Sequence, residues 1–227
     1  MDFQPDDGRT VAAIKAWFAR RDAAVFARFS KQPKMILDYG CGDGAFTIAL
    51  QQLFPDASTV GADYHSVPPN PQMSGRYLEY ADLPAHAGTF DLIIARHVLE
   101  HSYDPVAFLK SLRALLSDSG VLALEVPQLN TAVRRLFGKY WDGYYVPYHP
   151  LHFTRASLGI ALGSAGLSPL SFGNAEMPKM GRSLRNVIGC PYNVALFAAG
   201  VALHPIQVAI GLVTGTSVCL RAWARTG

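Results

Sequence analysis

Seven consecutive residues, Asp38-Tyr39-Gly40-Cys41-Gly42-Asp43-Gly44, hold three glycines and two carboxylates. Glycines at that spacing let a chain turn sharply and bring amide groups against a ligand where any Cβ would intrude. Further along stand Asp63 and the run Asp82-Leu83-Pro84, then four histidines: His97, His101, His149 and His152. An acid about twenty residues after a glycine loop suits the hydroxyls of a ribose. Histidine is the side chain best placed to carry a proton near neutral pH. On the loop alone the ligand stays ambiguous, because Gly40 to Ala45 also satisfies G-x-G-x-x-A, the turn of a nicotinamide dinucleotide site.

The elements that must position these groups alternate. A helical pattern over residues 10–29 ends at Pro33, and apolar strands follow at 35–37, 59–62, 76–80, 90–94 and 121–126. Helices are expected at 45–54, 104–116 and 155–164, with a turn Asp118-Ser119-Gly120 leading into the fifth strand. Strands apolar on both sides, separated by helices, imply a parallel sheet covered on both faces. Ligands of such sheets sit outside the carboxyl ends of the strands. Asp38, Asp63 and Asp82 all fall at or just past those ends. A diphosphate would be repelled by Asp38 and Asp43 beside the glycines. The ammonium and sulfonium of S-adenosylmethionine (SAM) would be favoured there.

Four segments in order carry a family likeness: Leu37 to Gly44, Gly61-Ala62-Asp63, Asp82-Leu83-Pro84, and Phe90-Asp91-Leu92-Ile93-Ile94-Ala95-Arg96-His97-Val98-Leu99-Glu100-His101. Together they resemble the class I SAM-dependent methyltransferases, in particular the branch related to ubiquinone and menaquinone methylases, over residues 34 to 173. The resemblance implies a Rossmann-like, doubly wound α/β fold. Its seven-stranded sheet would be mostly parallel with an antiparallel last strand. It further implies that Asp38, Gly40 and Gly42, with Cys41 between them, hold the methionine portion of SAM. Asp63 would hold the ribose, Asp82 and Leu83 the adenine, Tyr64 would lie on the adenine face, and His97 would wall the pocket. His101, His149 and His152 are then candidates for handling the acceptor's proton, the last two in a segment, His149-Pro150-Leu151-His152-Phe153-Thr154, that resembles the same branch. No metal is expected. Two rivals remain: a SAM-binding scaffold without acceptor chemistry, and an NAD(P)-dependent oxidoreductase.

The 227 residues are half hydrophobic and 16% charged, which excludes disorder. With net charge +3 and no long basic block, nucleic acid is not an expected partner. The three widely spaced cysteines read as reduced thiols, and an acidic start without a basic-then-apolar order points to the cytoplasm. One domain is expected, divided as an N-terminal helix (1–33), a cofactor core (34–173), an insertion (174–216) and a final strand (217–227). Residues 186–216 lack Lys, Arg, Asp and Glu. They read as a helical hairpin with arms at 194–203 and 206–213, broken by His204-Pro205, each arm too short to span a bilayer. Lys179, Arg182, Arg185, Arg221 and Arg225 flank it as headgroup cations would. Such a hairpin, with residues 187–213 on the inner face of a membrane, would deliver a hydrophobic acceptor such as a quinone precursor or a polyprenyl-linked molecule.

Overall fold

The computed structural model describes residues 9–227 apart from 31, 66, 74 and 192, with side chains from residue 17 onward. The acidic first residues lie outside this range. Helix α1 (Arg9–Phe26) runs on through a 3-10 turn to Phe29. Strands β1 (Met35–Tyr39), β2 (Ser58–Asp63), β3 (Tyr77–Glu79), β4 (Phe90–Arg96) and β5 (Leu116–Pro127) pair in parallel, in the order β3-β2-β1-β4-β5. The sheet is completed by β6 (Leu167–Ala175) at the edge and β7 (Cys219–Thr226) between it and β5. Since β7 is antiparallel to both neighbours, β6 points the same way as the first five.

Adjacent residues within one strand enter different cores. Leu37 and Ile93 pack with Leu109, Leu112 and Leu158, whereas Ile36 and Ile94 pack with Phe26, Phe46, Leu50 and Trp223. Burial on both faces is why these strands carry no polar alternation. The flanking helices are α2 (Ala45–Leu53), α3 (Pro105–Leu115), α4 (Ala132–Phe137) and α5 (Arg155–Ser164). Asp104 caps α3 by accepting from the Ala107 N–H at 2.9 Å, ahead of Pro105. Thr154 and Ser157 form a reciprocal box that starts α5 at the expected residue. The order of pairing changes direction at β1 and β4, and the crevice opened there is where the glycine loop stands.

Three expectations are corrected. Asp118-Ser119-Gly120 is no turn before β5. The strand begins at Leu116, opposite Phe90, and bulges before Val121 rejoins opposite Leu92. Asp91 stabilises the bulge by accepting from the Ser117 hydroxyl at 3.0 Å while its other oxygen accepts from the N–H groups of Lys34 and Met35. Gly120 is required there, because a Cβ would lie 2.7 Å from the Phe90 carbonyl.

The insertion between β6 and β7 is present, but its apolar stretch is one helix, α7 (Val194–Thr214), that continues through Pro205. A proline there removes a single helical N–H, and the helix is docked on either side of it. On one side, Gly200 crosses Gly181 of helix α6 (Met180–Ile188) so closely that a Cβ on Gly181 would sit 3.0 Å from the Gly200 Cα. On the other, buried Gln207 donates to the Met177 carbonyl at 2.7 Å and to the Glu176 carboxylate, and its oxygen accepts from the Lys179 N–H at 3.3 Å. The cation belt is also revised. Arg221 is buried in ion pairs, Lys179 lies 3.7 Å from Asp142, and Arg225, opposite Ser168, stands at the far end of the sheet. Of Lys179, Arg182 and Arg185 before α7, Arg185 is exposed and the other two are half-buried.

Candidate active site

The chain leaves β1 through Gly40, Gly42 and Gly44, whose φ angles of 76°, 54° and 76° are left-handed. A side chain at Gly40 would also overlap Val98. The N–H groups of Gly40 and Cys41 both donate to the Ala62 carbonyl, at 2.8 and 3.1 Å, so the loop is tied to β2. Asp63 completes the tie: one carboxylate oxygen accepts from Gly42 N–H at 2.8 Å and the other from Tyr64 N–H at 2.7 Å. Asp38 lies beneath, 2% exposed, accepting from the Thr47 hydroxyl at 2.6 Å. Burial pushes its carboxyl up to about 6; Thr47 and Arg96 oppose this, while Asp63 and Asp43 add to it. The same surroundings push the buried Cys41 thiol well up, chiefly through burial, so it is an inert wall rather than a nucleophile.

Beyond the loop lies an aromatic face. Tyr39 and Tyr80 stack at 4.5 Å, and Tyr64, 83% exposed, meets Tyr80 edge-on at 4.5 Å. The Tyr80 hydroxyl stands over Gly40, 3.5 Å from where a Cβ would be. Sequence reasoning missed Tyr80, although its place between β3 and the Asp82 loop was a usable signal. Asp82 is exposed, whereas the Leu83 side chain is turned into the core.

Past β4, His97 adopts φ 55°, and its ring sits in a charge network instead of facing the loop. Its Nδ1 is 3.2 Å from Glu100, its Nε2 3.1 Å from Glu125 and 3.3 Å from the Met177 sulfur. Burial disfavours its charge, yet Cys219, Glu100 and Glu125 outweigh that and hold it at about 10. Arg221 joins Glu125 at 2.6 Å to Asp22 at 2.9 Å, and Arg96 reaches Asp22 at 3.4 Å. Three carboxylates therefore face two guanidiniums and an imidazolium, a balanced set that meets the demand for pairing buried charge. Asp22, Glu100, Glu125 and Arg221 were not expected here. Their partners lie up to about two hundred residues away, beyond any local pattern.

The remaining histidines divide. His101, in the 3-10 turn Leu99–His101, donates from Nδ1 to the Tyr148 carbonyl at 2.8 Å, and His149 donates from Nδ1 to the Gly143 carbonyl at 3.0 Å. Their rings meet edge-on at 4.6 Å, and His149 Nε2 is 4.0 Å from Glu100. Burial lowers the His149 pKa from its ordinary value. His152 is set apart, 3.4 Å from the Tyr144 carbonyl and stacked edge-on with that ring, because the bridge between Gln128 and Phe153 pins the chain there. Tyr145 packs edge-on against His149 at 5.1 Å and tilted against Tyr148 at 5.0 Å, so both tyrosine rings stand beside the histidine pair.

Residues 13–171 match the family model for a methyltransferase domain. Methyltransferase str2 of Strobilurus tenacellus is 36% identical over 98 residues, covering 41% of this chain and 36% of its own. A ubiquinone biosynthesis O-methyltransferase of Cereibacter sphaeroides is 27% identical over 139 residues, 57% of this chain and 56% of its own. The chain thus spans about half or less of the length of these relatives. Among solved structures, a geranyl diphosphate methyltransferase bound to SAM superposes with TM-score 0.63 at 13% identity, over 99% of this chain and 93% of that one. The mitomycin 7-O-methyltransferase gives 0.62 at 15% identity, over 95% and 55%. With the glycine loop, the Asp63 clamp and the sheet order in agreement, this chain belongs to the methyltransferase-domain family of class I fold.

Proposed function

We propose that the protein is a SAM-dependent methyltransferase that moves a methyl group to an oxygen or carbon of a hydrophobic small molecule. The observation that carries this is the loop: three carboxylates, Asp38, Asp43 and Asp63, gathered around left-handed glycines. A cationic sulfur nucleoside gains from that charge, and a diphosphate does not. In this reading Asp63 exchanges its hold on Gly42 for the ribose hydroxyls. Asp38 supports the methionine end through the loop, and Tyr64, Tyr80 and the main chain at 82–83 border the adenine. The protein's part in transfer is to align the acceptor with the sulfonium, exclude water and draw off a proton. His101 and His149, whose Nδ1 bonds to carbonyls leave Nε2 as an acceptor, are the candidates for that last task.

The acceptor side is read as membrane-facing. The outer face of α7 is an apolar stripe in which Val194, Ile206, Leu212 and Val213 are all more than half exposed. At 21 residues α7 is about 31 Å long. Its buried Gln207, bonded to the protein, favours a helix lying on a lipid surface over one crossing it. Saturable SAM binding by calorimetry, with S-adenosylhomocysteine formed from lipid extracts, is the expected result. Binding of NADH in place of SAM would overturn the proposal.

A further inference from the structure

We propose that Glu100, His101 and His149 form a binding site for one divalent transition-metal cation at the acceptor end of the pocket. One ligand atom from each residue lies within 4.8 Å of the others. Both imidazoles are fixed by the arrangement found around metal-binding histidines, in which one ring N–H is donated to a carbonyl and the other nitrogen keeps its lone pair. Glu100 is 1% exposed, and its Oε2 has no hydrogen-bond partner among the described residues. His97 holds the other carboxylate oxygen at 3.2 Å, so the charge is shared there, but the unpartnered oxygen remains open to a cation. Exposed His101 leaves coordination positions open to water or to an acceptor oxygen. Two imidazoles with one carboxylate select manganese, iron, cobalt or zinc over calcium and magnesium, which prefer all-oxygen shells.

A second cluster of similar spacing, His97, Glu125 and Cys219, does not qualify. Glu125 is already neutralised by Arg221 and Arg96, and both nitrogens of His97 are committed.

The role given to the cation rests on the acceptor reading above, whereas its binding does not. A hydroxyl bound to the cation gives up its proton to solvent more readily than a free one. Its oxygen pair then attacks the methyl carbon, and the electrons of the broken carbon–sulfur bond stay on sulfur. His101 and His149 in that state act as ligands instead of bases.

The test uses full-length protein stripped with chelator, with SAM binding measured first by calorimetry. Titration with Co²⁺ is then followed by visible absorption, and with Mn²⁺ by electron paramagnetic resonance. One equivalent of Co²⁺ with an imidazole-ligated spectrum is expected. Glu100→Gln and His149→Gln should each weaken Co²⁺ binding at least about tenfold while SAM affinity stays within about twofold. Cys219→Ser should leave Co²⁺ binding unchanged. Intact SAM binding without Co²⁺ binding overturns the metal site and leaves the cofactor reading standing. Loss of Co²⁺ binding in Cys219→Ser, with retention in Glu100→Gln, assigns the cation to the other cluster and equally overturns it. Absence of SAM binding in the wild type strikes the cofactor reading, with the metal site judged by the Co²⁺ spectrum alone.

Discussion

Replacing Asp38 by Asn should stabilise the ligand-free protein and weaken its hold on SAM. Asp38 has a pKa of about 6 in the fold against an ordinary 3.8, for want of water around it. That gap of roughly two units corresponds to about 3 kcal/mol, at about 1.4 kcal/mol per unit. Because the folded value is the higher one, the contribution to stability is fully present below the ordinary pKa and is lost as pH rises through about 6. Asn keeps an oxygen for the Thr47 hydroxyl and carries no charge to desolvate. Any fixed packing cost of Asn is the same at every pH, and other titrating groups are common to both proteins. The difference between variant and wild type therefore isolates Asp38. Between about pH 5 and pH 8 that difference should grow by about 1.4 kcal/mol in favour of Asn, or about 3–5 °C in melting temperature for a chain of this length. Melting of both ligand-free proteins by circular dichroism at the two pH values reads it directly. A difference that stays flat, or that favours aspartate at the higher pH, refutes the account of a strained, desolvated carboxylate. With SAM present, the wild type should gain more than the variant above pH 6, since the ligand's cation suits the ionised form.

Asp63→Ala should weaken SAM by at least about 1.5 kcal/mol, the scale of a charge-assisted hydrogen bond, measured by calorimetry; wild-type affinity would remove Asp63 from the site. Gln207→Leu should cost about 1–3 kcal/mol in urea denaturation, because the Met177 carbonyl and the Glu176 carboxylate lose their donor, and Glu176, held by burial at about 6, should titrate higher still. Ile206→Glu with Val213→Glu, both on the exposed stripe, should abolish flotation with anionic liposomes while leaving SAM affinity unchanged; undiminished flotation would sink the membrane reading.

Much of the cofactor half was legible because its determinants are local. Asp38 and Asp63 stand at the carboxyl ends of β1 and β2, and Asp82 three residues beyond β3, so each carboxylate follows an apolar run that the sequence shows directly. Helix α5 was legible to the residue because Thr154 and Ser157 cap it within its first turn. The acceptor half was less so. Glu125 and Arg221 meet across 96 residues, and no periodicity announces that an arginine in a late strand belongs to a buried pair and not to a surface. Pro205 was read as a break since local propensity disfavours it, but Gly200 and Gln207 anchor the helix on both sides, and packing prevails over propensity. The bulge at 117–120 depends on Asp91, a residue whose role as acceptor for three donors is visible only once β1, β4 and β5 lie side by side.

The position of β7 has a consequence for how the chain acquires its structure. This strand inserts between β5 and β6 after a detour through two helices, and it brings Trp223 to donate to the Phe26 carbonyl at 3.0 Å across 197 residues. Any chain in which β7 has not yet docked leaves β5 and β6 without their shared neighbour, and the greasy stripe of α7 lies in the segment just before it. Such late, long-range closure slows folding and lengthens the interval in which chains can stick together. A docking partner or lipid surface that shields α7 during that interval would raise the yield of native protein as well as position the finished one.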